Sequence, residues 1–118
     1  MSTAANLVMV LIALMHLWFL VLEMFLWTRP SGLRAFRLTP EFAQQTKSLA
    51  ANQGLYNGFL AAGLAWGLYL GSSGFGVKVF FLGCVLLAGL FGGLTAAPKI
   101  LLIQALPAAV ALALVLGA

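Results

Sequence analysis

The sequence contains few charged side chains and few of the residue types that build catalytic or metal sites. Charged residues make up 7% of the 118 positions, against about a quarter in ordinary soluble domains. The chain has one cysteine, one histidine and two acidic residues. A single cysteine excludes an internal disulfide bond, and one histidine with one carboxylate is too small a ligand set for a metal site. We therefore expect no bound metal and no cofactor.

Several functional motifs are also missing. The sequence contains no nucleophile motif and no phosphate-binding loop. The net charge is +4, but four of the six basic residues lie close together, within residues 29–47. Nucleic-acid-binding proteins instead spread such residues over a basic face, so we expect no nucleic acid as a partner.

Apolar residues dominate the remainder, at 64% of the chain. A domain of this length could not bury so much apolar surface in its own core. The pattern predicts a single all-α transmembrane domain over residues 1–118. It predicts a four-helix bundle in the lipid bilayer, with spans over about 4–28, 48–70, 76–97 and 99–117. No basic residue precedes the first run, which is also too long for a signal peptide, so we interpret it as a span.

Short polar segments mark where the helices begin and end. Thr39-Pro40-Glu41 is typical of a helix start, which places the beginning of the second long helix near residue 40. The sequence Gly-Ser-Ser-Gly at 71–74 predicts a tight turn. Pro107 is expected to kink the fourth span.

The basic residues predict the orientation. Five lie on one side of the predicted spans, four in the 29–47 loop and Lys99 in the last connection, and only Lys78 lies on the other. The positive-inside rule therefore places the basic loop between helices 1 and 2 in the cytoplasm and both termini outside. The expected location is the inner membrane of a bacterium, as a multi-pass protein.

Small residues recur at four-residue spacing in the spans. The rows are Gly54, Gly58 and Ala62; Gly63, Gly67 and Gly71; and Gly89 and Gly93. Such rows allow close helix packing in lipid. One interpretation is compact packing within one subunit, and the other is contact with a second copy in a homo-oligomer, which we expect.

Two ionisable groups lie inside the first apolar run. Glu23 is five residues before Thr28, or about 8 Å along a helix, and His16 is twelve residues before it, about 18 Å. Their seven-residue separation places them on one face. Glu23 could instead pair with a basic loop residue, and His16 could be a hydrogen-bonded core residue. Ionisable groups within a membrane otherwise indicate function, here the holding or relay of a proton.

Polar side chains of the other spans are predicted to lie at the level of Glu23. In the second span they occupy about 6 to 14 Å from Ser48. Asn52 shares a helix face with Tyr56, and Gln53 shares another with Asn57. The candidate ligand-binding or proton-coupling residues are His16, Glu23, Asn52, Gln53, Tyr56 and Asn57, with Thr95 and Gln104 as secondary members. Because Gly54 and Gly58 lack side chains, we expect them to leave space for a polar cavity open to the cytoplasm.

Two segments carry a resemblance to a known family. They are MHLWFLVLEMFLW (residues 15–27) and TKSLAANQGLYNGFLAAGL (residues 46–64). The chain resembles small bacterial four-span membrane proteins grouped as a domain of unknown function. The resemblance implies four spans and directs attention to the polar residues of these two segments.

Two other architectures are similar by analogy. In small multidrug-resistance exporters, an essential glutamate in the first span exchanges protons for cationic substrates, a role that Glu23 would take. In the membrane-associated eicosanoid and glutathione metabolism family, four-span subunits form trimers, and Asn52 would correspond to an asparagine of the second span. The arginine and glutamate of that family's second span are absent here.

Two functions follow as predictions. The first is binding or transport of a small molecule, with Glu23 and His16 coupling it to protons. The alternative is a membrane-embedded enzyme acting on a lipid-soluble substrate, with Glu23 or His16 as general acid or base and Tyr56 or Asn57 polarising an oxygen. The sequence leaves the choice between transport and catalysis open.

Overall fold

A computed structural model describes residues 2–117, and these residues form helices joined by short connections, with no strand among them. The predicted all-α class is confirmed. The helices are α1 (Thr3–Met24), α2 (Pro30–Phe36), α3 (Pro40–Gln45), α4 (Lys47–Leu70), α5 (Phe75–Thr95) and α6 (Leu106–Leu116). A 3-10 turn, Gly71–Gly74, joins α4 to α5, and a π-helical turn, Leu101–Ala105, precedes α6.

Two continuous helical stretches are long and apolar enough to cross a membrane, by length and composition. One is Thr3–Met24, and the other is the 49-residue stretch Lys47–Thr95, which includes α4, the 3-10 turn and α5. Leu101–Leu116 is apolar but shorter. Within the most apolar window of the two long stretches, 33% and 28% of the residues are buried. Most residues in these stretches are therefore at least partly exposed.

The first long helix ends earlier than predicted, at Met24 rather than near residue 28. The amide of Leu26 bonds to the carbonyl of Val21, which closes the last turn of α1. Arg29 is extended (φ −90°, ψ 163°), and Pro30 then begins α2. A residue before proline avoids the helical region, whereas proline fits the first position of a helix. The Arg29-Pro30 pair therefore separates two helices.

The predicted helix start at Thr39 is confirmed, but the helix that begins there is short. The Thr39 hydroxyl accepts a hydrogen bond from the amide of Phe42 at 3.2 Å. However, α3 ends at Gln45, and α4 begins after the turn residue Thr46. The Thr46 hydroxyl donates to the carbonyl of Phe42 at 2.8 Å. Side-chain bonds of this kind compete with the regular helix pattern, and so the long helix begins at residue 47.

The last apolar run also departs from one regular α-helix. The π-helical turn lies immediately before Pro107, which stands in the first turn of α6. Proline has no amide hydrogen to donate and its ring crowds the preceding turn. A π-helical turn inserts an extra residue at such a site. The expected irregularity at Pro107 is therefore present as a change of helix type.

The chain divides by its internal contacts into two compact units. The middle unit is Met15–Phe59, and the flanking unit consists of the described residues on either side of it. In the flanking unit, α5 runs antiparallel to α4, because Gly67 abuts Lys78 and Gly63 abuts Phe81. The π-helical turn and α6 then run antiparallel to α5.

Glycines allow these helices of the flanking unit to pack closely. A Cβ atom on Gly89 would lie 2.5 Å from the backbone nitrogen of Ala105, and one on Gly93 would lie 2.3 Å from a side-chain carbon of Leu101. A Cβ on Gly63 would lie 2.2 Å from the ring of Phe81. Gly63, Gly89 and Gly93 therefore pack against other helices of the same chain, which agrees with the interpretation of the rows as compact packing within one subunit.

The flanking unit has its own apolar core. Its members come from the first part of α1, the end of α4, α5 and α6. They are Ala5, Met9, Ile12, Leu64, Leu82, Val85, Ala108, Ala111 and Val115. Three of these nine residues are alanines, whose small side chains suit helices at close range.

Candidate functional site

The centre of the candidate site is a hydrogen bond between Glu23 and Asn57 in the middle unit. The Nδ2 atom of Asn57 donates to Oε1 of Glu23 at 2.5 Å. Asn57 is 7% exposed, and Glu23 is half-buried. Asn57 bonds to one carboxylate oxygen, and Oε2 has no hydrogen-bond partner among residues 2–117. The pair therefore keeps one oxygen available to a proton or a ligand.

Helix periodicity explains why Asn57, rather than its neighbours, reaches Glu23. The inward face of α4 in the middle unit carries Ala50, Gly54 and Asn57, spaced by four and three residues. Residues with that spacing lie on one side of a helix. Asn57 is the polar member of an otherwise small and apolar face, and it meets the carboxylate of α1.

Gly54 and Gly58 bring α1 and α4 together and do not leave open space beside the polar groups, so this part of the prediction was wrong. A Cβ on Gly54 would lie 2.6 Å from Cγ of Met24 and 3.1 Å from Cβ of Glu23. A Cβ on Gly58 would lie 2.8 Å from Cδ1 of Leu20. Side chains of α1 fill the volume that the glycines vacate, which sets the short Glu23–Asn57 separation.

His16 lies in the same unit, two helical turns before Glu23. Its side chain is fully buried, and its ring packs edge-on against Phe19 with centroids 5.4 Å apart. The seven-residue spacing places His16 and Glu23 on one side of α1. His16 is the ionisable group that the fold removes most completely from solvent in this unit.

Three predicted site residues of α4 are exposed: Asn52 and Tyr56 point away from Asn57, and Gln53 lies at the edge between the two faces. Asn52 and Gln53 are exposed, and Tyr56 is 51% exposed with its ring 6.2 Å from that of Phe59. A helix turns by about 100° per residue, which directs Asn52 and Tyr56 away from Asn57. Of the four polar residues in this part of α4, only Asn57 bonds to Glu23, and the other three are exposed.

Thr95 and Gln104 belong to the flanking unit. Thr95 is exposed, and its hydroxyl donates to the carbonyl of Phe91 at 2.6 Å, within the last turn of α5. Gln104 is half-buried in the π-helical turn. Turns of this type recur at functional positions. The structure brings neither residue into the Glu23–Asn57 hydrogen bond.

A second buried polar pair, formed by Lys78 and Asn6 in the flanking unit, was not predicted from the sequence. Lys78 is fully buried, and its Nζ donates to Oδ1 of Asn6 at 3.0 Å. Gly67 makes room for its stem, because a Cβ there would lie 2.8 Å from Cγ of Lys78. In the prediction of orientation, Lys78 counted only as the one basic residue on the outer side of the spans. The available signal was its position in the first turn of an apolar helix, opposite a glycine.

Trp27 was also missed. Its indole nitrogen donates to the Thr46 hydroxyl at 3.0 Å, and its ring lies 4.9 Å from that of Phe36. It thereby joins the end of α1 to the break before α4 and to α2, all within the middle unit. Nothing in the local spacing of residues indicated a bond across 19 positions.

Among the described residues, no three histidine, cysteine, aspartate or glutamate side chains are grouped as metal ligands would be. The polar groups that α1 and α4 bury or half-bury in the middle unit are a carboxyl group, an amide and an imidazole. Such a set can accept, hold and release a proton, and it can hydrogen-bond a small polar molecule.

Residues 10–116 match a family described as "Protein of unknown function (DUF1304)". The chain is also 30% identical, over 96 residues, to the uncharacterized protein YpaA of Lactococcus lactis subsp. lactis (strain IL1403). That similarity covers 80% of this chain and 81% of the relative. No solved structure matches the chain significantly. The matched range includes every predicted site residue.

Proposed function

Because the chain belongs to the DUF1304 family, whose description names no activity, we propose its function from its own residues: an integral membrane protein that binds or transports a small molecule at Glu23, with proton coupling. The observation that carries the proposal is the Glu23–Asn57 hydrogen bond between two long apolar helices. Carboxyl groups among apolar helices are costly, and where they occur within membranes they mark ion and substrate pathways.

The exposure of apolar side chains supports the membrane assignment. Large hydrophobic residues are exposed along every long helix, with Leu11 at 65%, Tyr69 at 87% and Leu94 at 79%. Soluble proteins rarely expose apolar surface this continuously. In a bilayer the same surface contacts lipid tails at no cost.

The proposed topology has four crossings, formed by α1, α4, α5 and the stretch from the π-helical turn to α6. The 3-10 turn lets α4 and α5 cross as a hairpin, and the stretch Leu101–Leu116 provides a fourth, shorter segment. The exposed basic residues of the segment between α1 and α4 favour a cytoplasmic position for that segment and an outside position for both termini. The proposed location is a bacterial inner membrane.

The chemistry of the pair suits reversible proton binding. A proton that arrives on Oε2 of Glu23 neutralises the carboxylate and leaves the bond from Asn57 to Oε1 in place, because that oxygen still accepts. Asn57 therefore fixes the position of the carboxyl group in both protonation states. A cationic or hydrogen-bond-donating molecule would compete with the proton for the same oxygen, and that competition is the physical basis of coupling.

His16 provides a second position for a proton, farther along α1 from Glu23. It is a buried imidazole on the same side of α1, about 10 Å along the helix axis by the 1.5 Å rise per residue. Imidazole exchanges protons near neutral pH more readily than any other side chain. We assign His16 the role of a second proton-holding group.

The enzyme alternative receives less support. It needs a general acid or base beside a group that polarises a substrate oxygen. Tyr56 lies on the exposed face of α4, and the Asn57 amide is engaged by Glu23. Tyr56 and Glu23 could act on one substrate only if that substrate reached both faces of α4. We therefore favour binding or transport over catalysis.

Proton uptake by liposomes containing the purified protein tests the proposal. A pH gradient is imposed, and internal pH is followed with a trapped dye for the wild type and for Glu23→Gln. Glu41→Gln is the matched control, because Glu41 is the other acidic residue of the chain and lies exposed at the start of α3. We expect Glu23→Gln to lower the rate to that of protein-free vesicles and Glu41→Gln to leave it unchanged. Equal rates in all three proteins would remove proton coupling from the proposal.

A further inference from the structure

The exposed face of α4 in the middle unit carries polar groups that no other part of the described chain covers. Its centre is formed by Leu49, Asn52, Gln53, Tyr56 and Phe59, all exposed, and we name it the amide face. Leu49 is 71% exposed, Tyr56 is 51% and Phe59 is 57%. Two side-chain amides and a phenol therefore project outward from a helix that is long and apolar enough to cross a membrane.

Lipid cannot satisfy this face. Side-chain amides need donors and acceptors, and hydrocarbon tails supply neither. By helical rise, Asn52 and Tyr56 lie about 6 to 12 Å from Ser48, inside the hydrocarbon region if α4 enters the bilayer there. Snorkelling to the interface is open to long lysine and arginine side chains but not to a short asparagine. A polar partner is required at that depth.

The spacing of the face matches a helix-to-helix seam. Positions 49, 52, 56 and 59 follow each other at intervals of three, four and three residues, the repeat by which two helices pack side chains into each other's gaps. Left-handed packing with this repeat is common among membrane helices. An asparagine in such a seam pairs with the same residue of a second helix and fixes the register.

We propose that the amide face is the contact between copies of this chain, with the α4 helices parallel and Asn52 opposite Asn52. The basic segment gives every copy one orientation, so residues at equal depth meet across the contact. An amide is both donor and acceptor, and so the face is complementary to itself. This inference rests on the part of the proposed function that places α4 across the membrane.

The glycine rows provide no comparable surface. Gly54 and Gly58 pack against α1, and Gly63 packs against Phe81. The contact therefore uses the opposite side of α4 from Gly54 and Asn57. One helix thus carries the proton-binding pair on one face and the subunit contact on the other, and association would fix the helix that positions Asn57.

Disulfide cross-linking in native membranes tests the contact. Cys84→Ser removes the natural cysteine, and single cysteines are then introduced by Leu49→Cys and by Phe59→Cys, which leave both amides in place. Ala51→Cys is the matched control: Ala51 is half-buried on the same helix, lies between the two test positions in depth, and is turned by about 100° from Asn52, away from the seam. We expect mild oxidation to give dimers with the two test variants and none with the control.

A second experiment tests whether the two side-chain amides stabilise the contact. Adding Asn52→Leu and Gln53→Leu to the Leu49→Cys protein should slow cross-linking by about tenfold, the effect of losing two or three interhelical hydrogen bonds. Membrane-bound protein with equal cross-linking at Leu49→Cys and Ala51→Cys, or with none, would overturn the contact while leaving the proposed site intact. Protein recovered in the soluble fraction would contradict the membrane assignment and the contact together.

Discussion

At the scale of single residues, the main feature is how this apolar protein accommodates its few polar groups. The buried polar side chains among residues 2–117 are His16, Asn57 and Lys78; Asn57 bonds to Glu23, and Lys78 bonds to Asn6. No buried side-chain nitrogen or oxygen among residues 2–117 lacks a hydrogen bond. The two pairs lie in different units, so substitutions in one pair can be interpreted without the other.

Asn57→Leu should separate the positioning of Glu23 from the stability of the fold. The substitution removes one interhelical hydrogen bond, which in membranes contributes about 0.6 kcal/mol and at most about 1.7. We expect a loss of stability in that range but a several-fold slower proton uptake, because the carboxyl group loses its fixed position. Gln44→Leu is the control, since it removes an exposed amide from α3, outside both faces of α4.

The Lys78–Asn6 pair gives a prediction about stability alone. Asn6→Leu leaves the buried amine of Lys78 without its acceptor and should lower the free energy of unfolding by about 2 kcal/mol or more. Lys78→Met removes the amine as well, and so the double variant should be more stable than Asn6→Leu alone. Unfolding in mixed micelles measures the three values. Additive effects of the two substitutions would contradict a direct pair.

At the scale of helices, glycines lie where two helices come closest together. The effect of replacing a glycine on stability should therefore differ from one position to another. Gly54→Leu inserts a side chain where a Cβ already lies 2.6 Å from Met24. Such overpacking costs about 1 to 3 kcal/mol, and it should also slow proton uptake by moving α1 away from Asn57. Gly83→Leu is the control because a Cβ at Gly83 has no atom within 4 Å. Equal stability of the two variants would contradict the packing of α1 on α4.

Only some features of the helices could be predicted from the sequence. The all-α class and the cap at Thr39 were predictable because apolar runs and capping residues act locally. The early end of α1 and the break at Thr46 were not, because each depends on hydrogen bonds between particular groups in three dimensions. The Trp27–Thr46 bond, across 19 residues, is the clearest example.

The candidate site was also predictable from the sequence only in part. Glu23 and Asn57 could be singled out because polar residues stand out in an apolar run. The sequence did not indicate which of the four polar residues of α4 would face Glu23, since the inward direction of a helix depends on its tertiary packing. The role of Gly54 was misjudged for a related reason: a missing side chain indicates space only if no neighbouring helix moves in to fill it.

At the scale of the whole molecule, the topology makes a prediction that needs no knowledge of the ligand. In a Cys84→Ser background, Ser73→Cys lies in the exposed 3-10 turn and Arg34→Cys in the exposed basic segment. A membrane-impermeant maleimide added to intact cells should label Ser73→Cys alone, and permeabilised cells should label both. Labelling of Arg34→Cys in intact cells would reverse the proposed orientation.

The central claim is that Glu23 is a proton-accepting carboxyl group inside the membrane, and a hydrophobic carbodiimide tests it most directly. Such reagents partition into lipid and modify protonated carboxyl groups there. The chain has only two acidic side chains, Glu23 and Glu41, so mass spectrometry of reacted membranes separates the outcomes cleanly. We expect modification at Glu23, little at Glu41, and less at Glu23 as pH rises, because the carboxyl group then loses its proton. Equal modification of both residues, or modification of Glu41 alone, would contradict the claim.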